Sequence, residues 1–173
     1  MSTPANFDIG IIGSGVVGTR AAAQLHTLGL RPRVAPLRHA TDLFDCNVVV
    51  LTHGAPHSAL AATFVAQGIA VVSVSDNLAD VLALLDIQDR ALARKVPVII
   101  GAACSPGMTG LLVHHVTRAF ESIDEVHVAV HGTGGPQCAR QHHDSLAGVS
   151  IGWHEGEWLQ RPAGSGRELC WFP

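Results

Sequence analysis

The chain has 173 residues, 47% of them hydrophobic and 14% charged, with a formal net charge of −3. That length suits one full domain, or one domain and part of another, and the composition suits a covered parallel sheet and excludes intrinsic disorder. The charge excludes a basic field for nucleic acid or anionic lipid, no apolar stretch approaches the roughly 18–20 residues of a membrane span, and Met1–Asn6 lacks the cationic start and apolar core of a signal peptide.

The first predicted strand, 7–12, is the apolar run Phe7-Asp8-Ile9-Gly10-Ile11-Ile12. It leads through Gly13-Ser14-Gly15-Val16-Val17-Gly18 into a predicted helix over 16–28. Strand, glycine turn and helix start stand in the order that a dinucleotide site requires. Gly13 permits a sharp turn, Gly15 lets backbone N–H groups approach a pyrophosphate, and Gly18 lets the helix pack close to the sheet. A GxGxxG in this context is a much stronger signal than the bare pattern. The competing reading is a tight turn in a ligand-free α/β fold.

Further strands are predicted at 32–37, 47–52, 69–75 and 96–102, and further helices at 57–67, 77–94 and 107–119. Asn47-Val48-Val49-Val50-Leu51 and Val96-Pro97-Val98-Ile99-Ile100 are continuous rather than alternating, as in strands covered on both faces. Gly29 and Gly68 stand where left-handed C-cap residues are wanted, and Asp76 or Asn77 is placed to cap the third helix. Strands alternating with helices imply right-handed crossovers. The segment from Gly29 to Asp45 is too short for a helix between two strands, so a compact Rossmann-like α/β sheet of about five parallel strands, in the order 2-1-3-4-5, is expected.

After residue 120 the pattern changes. A strand is expected over 122–131, a break at Gly132-Thr133-Gly134-Gly135-Pro136, a short helix over 137–147 and a hairpin over 149–160 turning at Glu155-Gly156-Glu157. Gly164-Ser165-Gly166 reads as another turn and Glu168-Leu169-Cys170-Trp171-Phe172 as a strand. Two domains follow: a dinucleotide-binding domain over 1–120 and, over 121–173, the start of an α+β substrate or dimerisation domain. We expect the sequence to be the N-terminal part of a longer enzyme; the other reading is a small appendage that pairs across a dimer. The cysteines Cys46, Cys104, Cys138 and Cys170 are dispersed without a CxxC, as expected of reduced thiols in the cytoplasm.

In such a sheet, ligands sit at the carboxyl ends of the strands, near the switch in strand order. Thr52-His53-Gly54-Ala55-Pro56-His57, Ser73-Val74-Ser75-Asp76-Asn77 and the turn from Gly101 to Gly110 all reach that edge. The small residues of the last permit close approach to a flat ring, Pro106 suits the first turn of a helix, and Cys104 and Ser105 would face the reactive end of a cofactor. The alternative is a plain strand-to-helix turn with Cys104 as a small buried apolar residue. Arg38 lies about 20 residues after Gly18, where an acidic residue reads the ribose of NAD and an arginine accommodates the 2′-phosphate of NADP. It points to NADP before NAD, unless the short segment shifts the register and leaves Arg38 a solvated charge.

Eleven histidines are present. His127 and His131, four apart, would share one face of a strand. No metal-site spacing occurs, and no metal is expected. His142 and His143, with Ser105, are the candidates for proton transfer, and Arg140 for anchoring a substrate carboxylate. Solvated surface histidines and a surface salt bridge at Arg140 are the competing uses.

Together, Gly13-Ser14-Gly15-Val16-Val17-Gly18, the Asn47–Pro56 strand and turn, and Ala102-Ala103-Cys104-Ser105-Pro106-Gly107-Met108-Thr109 resemble the saccharopine dehydrogenase-like oxidoreductases of bacteria. The resemblance covers residues 7–120, and His131-Gly132-Thr133-Gly134-Gly135-Pro136 with Arg140-Gln141-His142-His143 resembles one bacterial subgroup. It implies a Rossmann-type domain followed by an α/β substrate domain, NAD(P) as cofactor, and an amino-acid-like or imine substrate. It carries cofactor contact to Gly13, Gly15, Gly18 and the Cys104–Gly107 turn. The ribose-reading segment is shorter than the family's, and the substrate domain is expected to be incomplete. The related glucose–fructose oxidoreductase type places Glu-Lys-Pro after its fourth strand, where this chain has Ser75-Asp76-Asn77. Its only lysine, Lys95, lies at a helix end, which argues against a lysine proton donor and against sugar oxidation.

The expected function is therefore an NAD(P)-dependent oxidoreductase acting on a C–N or C–OH bond of a small carboxylate substrate, as a homo-oligomer without nucleic-acid or membrane partners. Expected cofactor contacts are Gly13, Ser14, Gly15, Val16, Val17, Gly18, Arg38, Thr52, His53, Cys104 and Pro106. The rivals are a non-catalytic dinucleotide sensor and a lyase or dehydratase on the same fold.

Overall fold

In the computed structural model, residues 7–124, 126–132 and 134–165 are described. The chain divides into two compact units, one through Val126 and one from His127.

The first unit is built on five parallel strands: β1 (Ile9–Ile12), β2 (Arg33–Ala35), β3 (Val48–Leu51), β4 (Ala70–Ser73) and β5 (Val98–Ile100). Their order in the sheet is β2-β1-β3-β4-β5, as the short Gly29–Asp45 segment implies. The registers Ile12↔Ala35, Ile12↔Leu51, Leu51↔Ser73 and Ser73↔Ile100 align the carboxyl ends of all five strands along one edge. The helices are α1 (Val16–Thr27), α2 (Ser58–Ala66), α3 (Leu78–Leu85), α4 (Gln88–Arg94) and α5 (Met108–Thr117). Between β2 and β3 stands only a 3-10 segment, Leu37–Leu43. A side chain at Gly10 would meet Leu43 Cδ1 at 2.9 Å and Cys46 Sγ at 3.2 Å, so glycine on β1 is what lets this segment lie against the sheet. The Arg33 guanidinium anchors the same region, bonding the Asp45 carboxylate and Cys46 Sγ. Burial pushes the Cys46 thiol up, against the pull of Arg33.

The core lies between sheet and helices. Val49, Leu51, Ala61, Phe64, Val65 and Val71 are fully buried, and Phe64 meets Phe44 edge-on at 5.2 Å. Gly29 and Gly68 hold φ near 80°, the left-handed C-cap geometry expected of them, and Asn77 caps α3 through the Asp80 N–H. The single helix expected over 77–94 is two. Ile87 N–H donates to Leu84 O at 3.4 Å, a tightened i→i+3 turn that interrupts the α ladder.

In the second unit, α6 (Pro136–Ser145) precedes an antiparallel hairpin of β6 (Val149–His154) and β7 (Glu157–Pro162). It turns at Glu155 and Gly156, both with positive φ, as a two-residue turn matched to strand twist requires. Trp153 and Trp158 face each other across it, 4.9 Å apart and edge-to-face. The strand expected over 122–131 is not formed. Among the described residues of that segment no strand is assigned. The strand expected over 168–172 and the end of the turn at 164–166 lie outside the described residues.

Candidate functional site

The carboxyl edge of the sheet is formed by four turns. At the first, Gly13 is buried with φ 120°, and its N–H donates to Ala35 O at 2.9 Å, joining the ends of β1 and β2. Thr52 Oγ1 lies 3.0 Å from Ile12 O and 3.2 Å from Gly13 O, closing the turn from the β3 side. A side chain on Gly13 would meet Thr52 Oγ1 at 2.6 Å, and one on Gly18 would fall 1.8 Å from Gly13 O. Gly15 differs: a Cβ there meets nothing within 4 Å. Packing therefore excludes side chains at Gly13 and Gly18, while Gly15 borders open space.

Gly15 is the N-cap of α1. It offers no side-chain cap, and the first turn carries no acid. The N–H groups at this end thus keep their partial positive charge for an outside anion. The starts of α2 and α3 are served from within the protein. Asp80 occupies the start of α2, and Asn77 caps α3. With Ser14 and Gly15 exposed and Val16 and Val17 41% and 47% exposed, the turn has the room and polarity for a pyrophosphate.

The second turn, Thr52–His57, is held by a buried network. His57 is fully buried. Its Nε2–H donates to His53 O at 2.8 Å, so Nδ1 accepts from the Ser73 hydroxyl at 2.8 Å. Ser73 Oγ in turn accepts the Ser75 N–H at 3.2 Å. The His57 N–H reaches both oxygens of Asp80, and Ser58 N–H reaches Oδ1 at 2.9 Å. Burial opposes ionisation of Asp80, but the Ser75 hydroxyl beside it and the His57 and Ser58 N–H groups outweigh burial and hold its carboxyl below the ordinary value. His53 Nδ1 must donate to Gly54 O at 2.7 Å, because a carbonyl only accepts. Burial lowers the His53 pKa, overcoming the Gly54 carbonyl, and the adjacent His57 ring, 4.3 Å away, adds to that. The imidazole is therefore neutral with Nε2 as a bare acceptor. That atom is buried and has no partner among the described residues.

Sequence reasoning placed His53, His57 and Ser73 in turns at this edge without foreseeing the hydrogen bonds among them, and Asp80 was missed. A cue existed, since Asn77-Leu78-Ala79-Asp80 has capping-box spacing. It would have sent the Asp80 carboxylate back to its own helix rather than to α2.

At the edge of β5, Ala102 N–H donates to Ser73 O at 2.9 Å, setting the Gly101–Gly107 turn beside β4. The turn closes through Ala103 N–H to Pro106 O at 3.1 Å, and a Cβ on Gly107 would lie 2.3 Å from Gly101 O. Pro106 is not in the first turn of α5, which begins at Met108 behind the N-cap Gly107. Cys104, Ser105 and Pro106 are all exposed, which removes the reading of Cys104 as a buried apolar residue. Arg38 is exposed on the 3-10 segment just past β2. Arg140, His142 and His143 lie exposed on α6, in the second unit. No group of three His, Cys, Asp or Glu among the described residues is placed to hold a metal, and no described helix is long and apolar enough to cross a membrane.

Strand order, parallel registers and glycine turn together make this a Rossmann-like α/β fold. Among solved structures, the WlbA dehydrogenase of Bordetella pertussis, in complex with NADH and UDP-GlcNAcA, is similar with a TM-score of 0.51 at 14% identity, over 69% of this chain and 43% of that one. The homoserine dehydrogenase of S. aureus is 15% identical over 54% of this chain and 32% of its own, with a TM-score of 0.41. Biliverdin reductase of Synechocystis, with biliverdin and NADP+, is 16% identical over 84% and 45%, with a TM-score of 0.42. The chain thus spans about a third of the homoserine dehydrogenase and under half of the other two. No family model matches the chain, and no curated protein is significantly similar to it in sequence. None of these three neighbours is a saccharopine dehydrogenase.

Proposed function

We propose that the protein is an NAD(P)-dependent oxidoreductase, with NADP the preferred coenzyme, that acts on a C–N or C–OH bond of a small amino-acid-like carboxylate. The observation that carries this reading is the uncapped start of α1 behind a glycine whose Cβ position is open. The WlbA dehydrogenase, which shares the fold, was crystallised with the class of ligand that such a turn accommodates.

When bound, the nicotinamide supplies or accepts the hydride. The residues of this chain bind and orient. Gly13, Ser14, Gly15, Val16, Val17 and Gly18 present backbone N–H groups to the pyrophosphate. Arg38 takes the 2′-phosphate as a charge-assisted partner. Thr52 and His53 border the coenzyme at β3, and Cys104 and Pro106 flank the nicotinamide at the end of β5. Ser105, His142 and His143 are the proton-handling candidates, and Arg140 anchors the substrate carboxylate. The resemblance to saccharopine dehydrogenase-like enzymes supports the substrate class. The dispersed free thiols Cys46, Cys104 and Cys138 fit a cytoplasmic setting, and a homo-oligomer belongs to the same reading.

Calorimetric titration with NADPH and NADH tests it. Binding of NADPH, lost on Gly15→Leu, is the expected result. A chain that binds neither nucleotide at millimolar concentration overturns it. Binding without turnover of any amino-acid-like substrate by the full-length protein favours a dinucleotide sensor.

A further inference from the structure

The hairpin of the second unit has two unlike faces. Side chains alternate along each strand, so Val149, Ile151 and Trp153 share one face with Trp158, while Ser150, Gly152 and His154 share the other with Leu159 and Arg161. The second face carries a cavity of about 300 Å³, at the small end of the range of small-molecule sites. Gly152 makes the room. It stands opposite Leu159, and a Cβ there would meet nothing within 4 Å. Leu159 is half-buried at this gap, and Trp153 and Pro162 border it, so part of the lining is apolar.

The polar part of the lining is made of donors. Ser150 stands directly opposite Arg161, and Ser165 returns to the cavity from a turn closed by its N–H to Pro162 O at 3.1 Å. No carboxylate lines the cavity. The acids of the hairpin go with His154, four residues along β6 from Ser150: Glu155 lies 3.8 Å from its Nε2, and Glu157 is its partner in register. Arg161 has no ion pair among the described residues. An unpaired guanidinium with a hydroxyl opposite it matches a carboxylate, which it can grip with two parallel N–H bonds. A bare inorganic anion would leave the apolar part of the lining uncovered, whereas a short hydrocarbon chain covers it.

We propose that this cavity is a binding site for a small organic carboxylate with a short apolar chain. Arg161 pairs with the carboxylate, Ser150 donates to it, and Leu159 and Trp153 pack against the chain. The site uses none of the coenzyme contacts, and Arg140 is not part of it, so it stands independently of the dinucleotide reading.

The test is calorimetric titration of the full chain with isocaproate, with its neutral amide isocaproamide, and with inorganic phosphate. Isocaproate is expected to bind about tenfold more tightly than the amide, because only the carboxylate forms charge-assisted bonds with Arg161. Phosphate should bind more weakly than isocaproate. Arg161→Gln should bring isocaproate down to the affinity of the amide, and Arg161→Lys should recover only part, as a charge without the planar fork. Gly152→Val should abolish binding of both by filling the cavity. It should not lower the melting temperature, because the Cβ direction is open and valine suits a strand. Equal affinities for isocaproate and its amide, isocaproate binding untouched by Arg161→Gln or by Gly152→Val, or no binding at millimolar concentration overturns the proposal. Phosphate binding as tightly as isocaproate overturns it too, since the apolar lining would then contribute nothing. Each of these results leaves the dinucleotide reading in place, because NADPH titration reports on the Gly13–Gly18 turn separately.

Discussion

Asp80, on α3, sits over the start of α2, where both of its carboxylate oxygens accept the His57 N–H at 2.9 and 2.8 Å. The carboxylate serves as an internal anion for one helix end and joins two successive helices on either side of β4. It also explains why α2 does not compete with α1 for an outside anion.

Asp80→Ala removes that anion from a site only 4% exposed and strands the His57 and Ser58 N–H groups. The expected loss is about 3 kcal/mol of folding stability, with Asp80→Asn in between, because hydrogen bonds to charged groups are the stronger kind. Urea unfolding at neutral pH measures it. A loss under about 0.5 kcal/mol would contradict the clamp.

Stability should fall with acid in two stages. His53 has a folded pKa below its ordinary 6.5, so the unfolded chain takes the proton first. Its contribution is complete above that value and shrinks as the pH drops below it. Asp80, lowered from 3.8, keeps its contribution until near that value and loses it as the pH falls through the folded one. Urea midpoints from pH 8 to pH 3 should show both stages in wild type. His53→Leu should lack the first, and Asp80→Asn the second.

Gly15 and Gly18 should separate binding from folding. Gly15 has φ −81°, open to any residue, and empty space around its Cβ direction, so Gly15→Leu should change stability by less than about 0.5 kcal/mol while abolishing NADPH binding. Gly18→Val drives a side chain into Gly13 O and should cost about 3 kcal/mol. Thermal melts paired with calorimetric titration distinguish the two. Retained NADPH affinity in Gly15→Leu removes the pyrophosphate from this turn.

Arg38→Ala should weaken NADPH binding about tenfold or more and leave NADH nearly unchanged, because only NADPH carries the phosphate that a guanidinium pairs with. Equal losses for both would make Arg38 a general surface charge.

Much of the first unit was legible because its cues are local. The all-buried Ile9–Ile12 run, the spacing of Gly13, Gly15 and Gly18, and the C-cap glycines Gly29 and Gly68 each act within a few residues, and the short Gly29–Asp45 segment constrains the strand order. The second unit was read in part. The hairpin turn at Glu155–Gly156 is local and was found. The strand expected over 122–131 has the alternating pattern, but none is assigned among its described residues, because a pattern in one segment does not fix what the fold pairs with it.

The chain order of residues by itself determined the α/β class, the sheet order and the glycine turn, since backbone freedom, apolar runs and segment length are properties of short stretches. Only the tertiary structure decided that His57 is buried rather than solvated, that Asp80 serves α2 instead of its own helix, and that His53 keeps an unpaired nitrogen. Those outcomes depend on which polar groups the sheet brings together from β3, β4 and α3. A buried hydrogen bond is chosen by proximity in space, which no local pattern records.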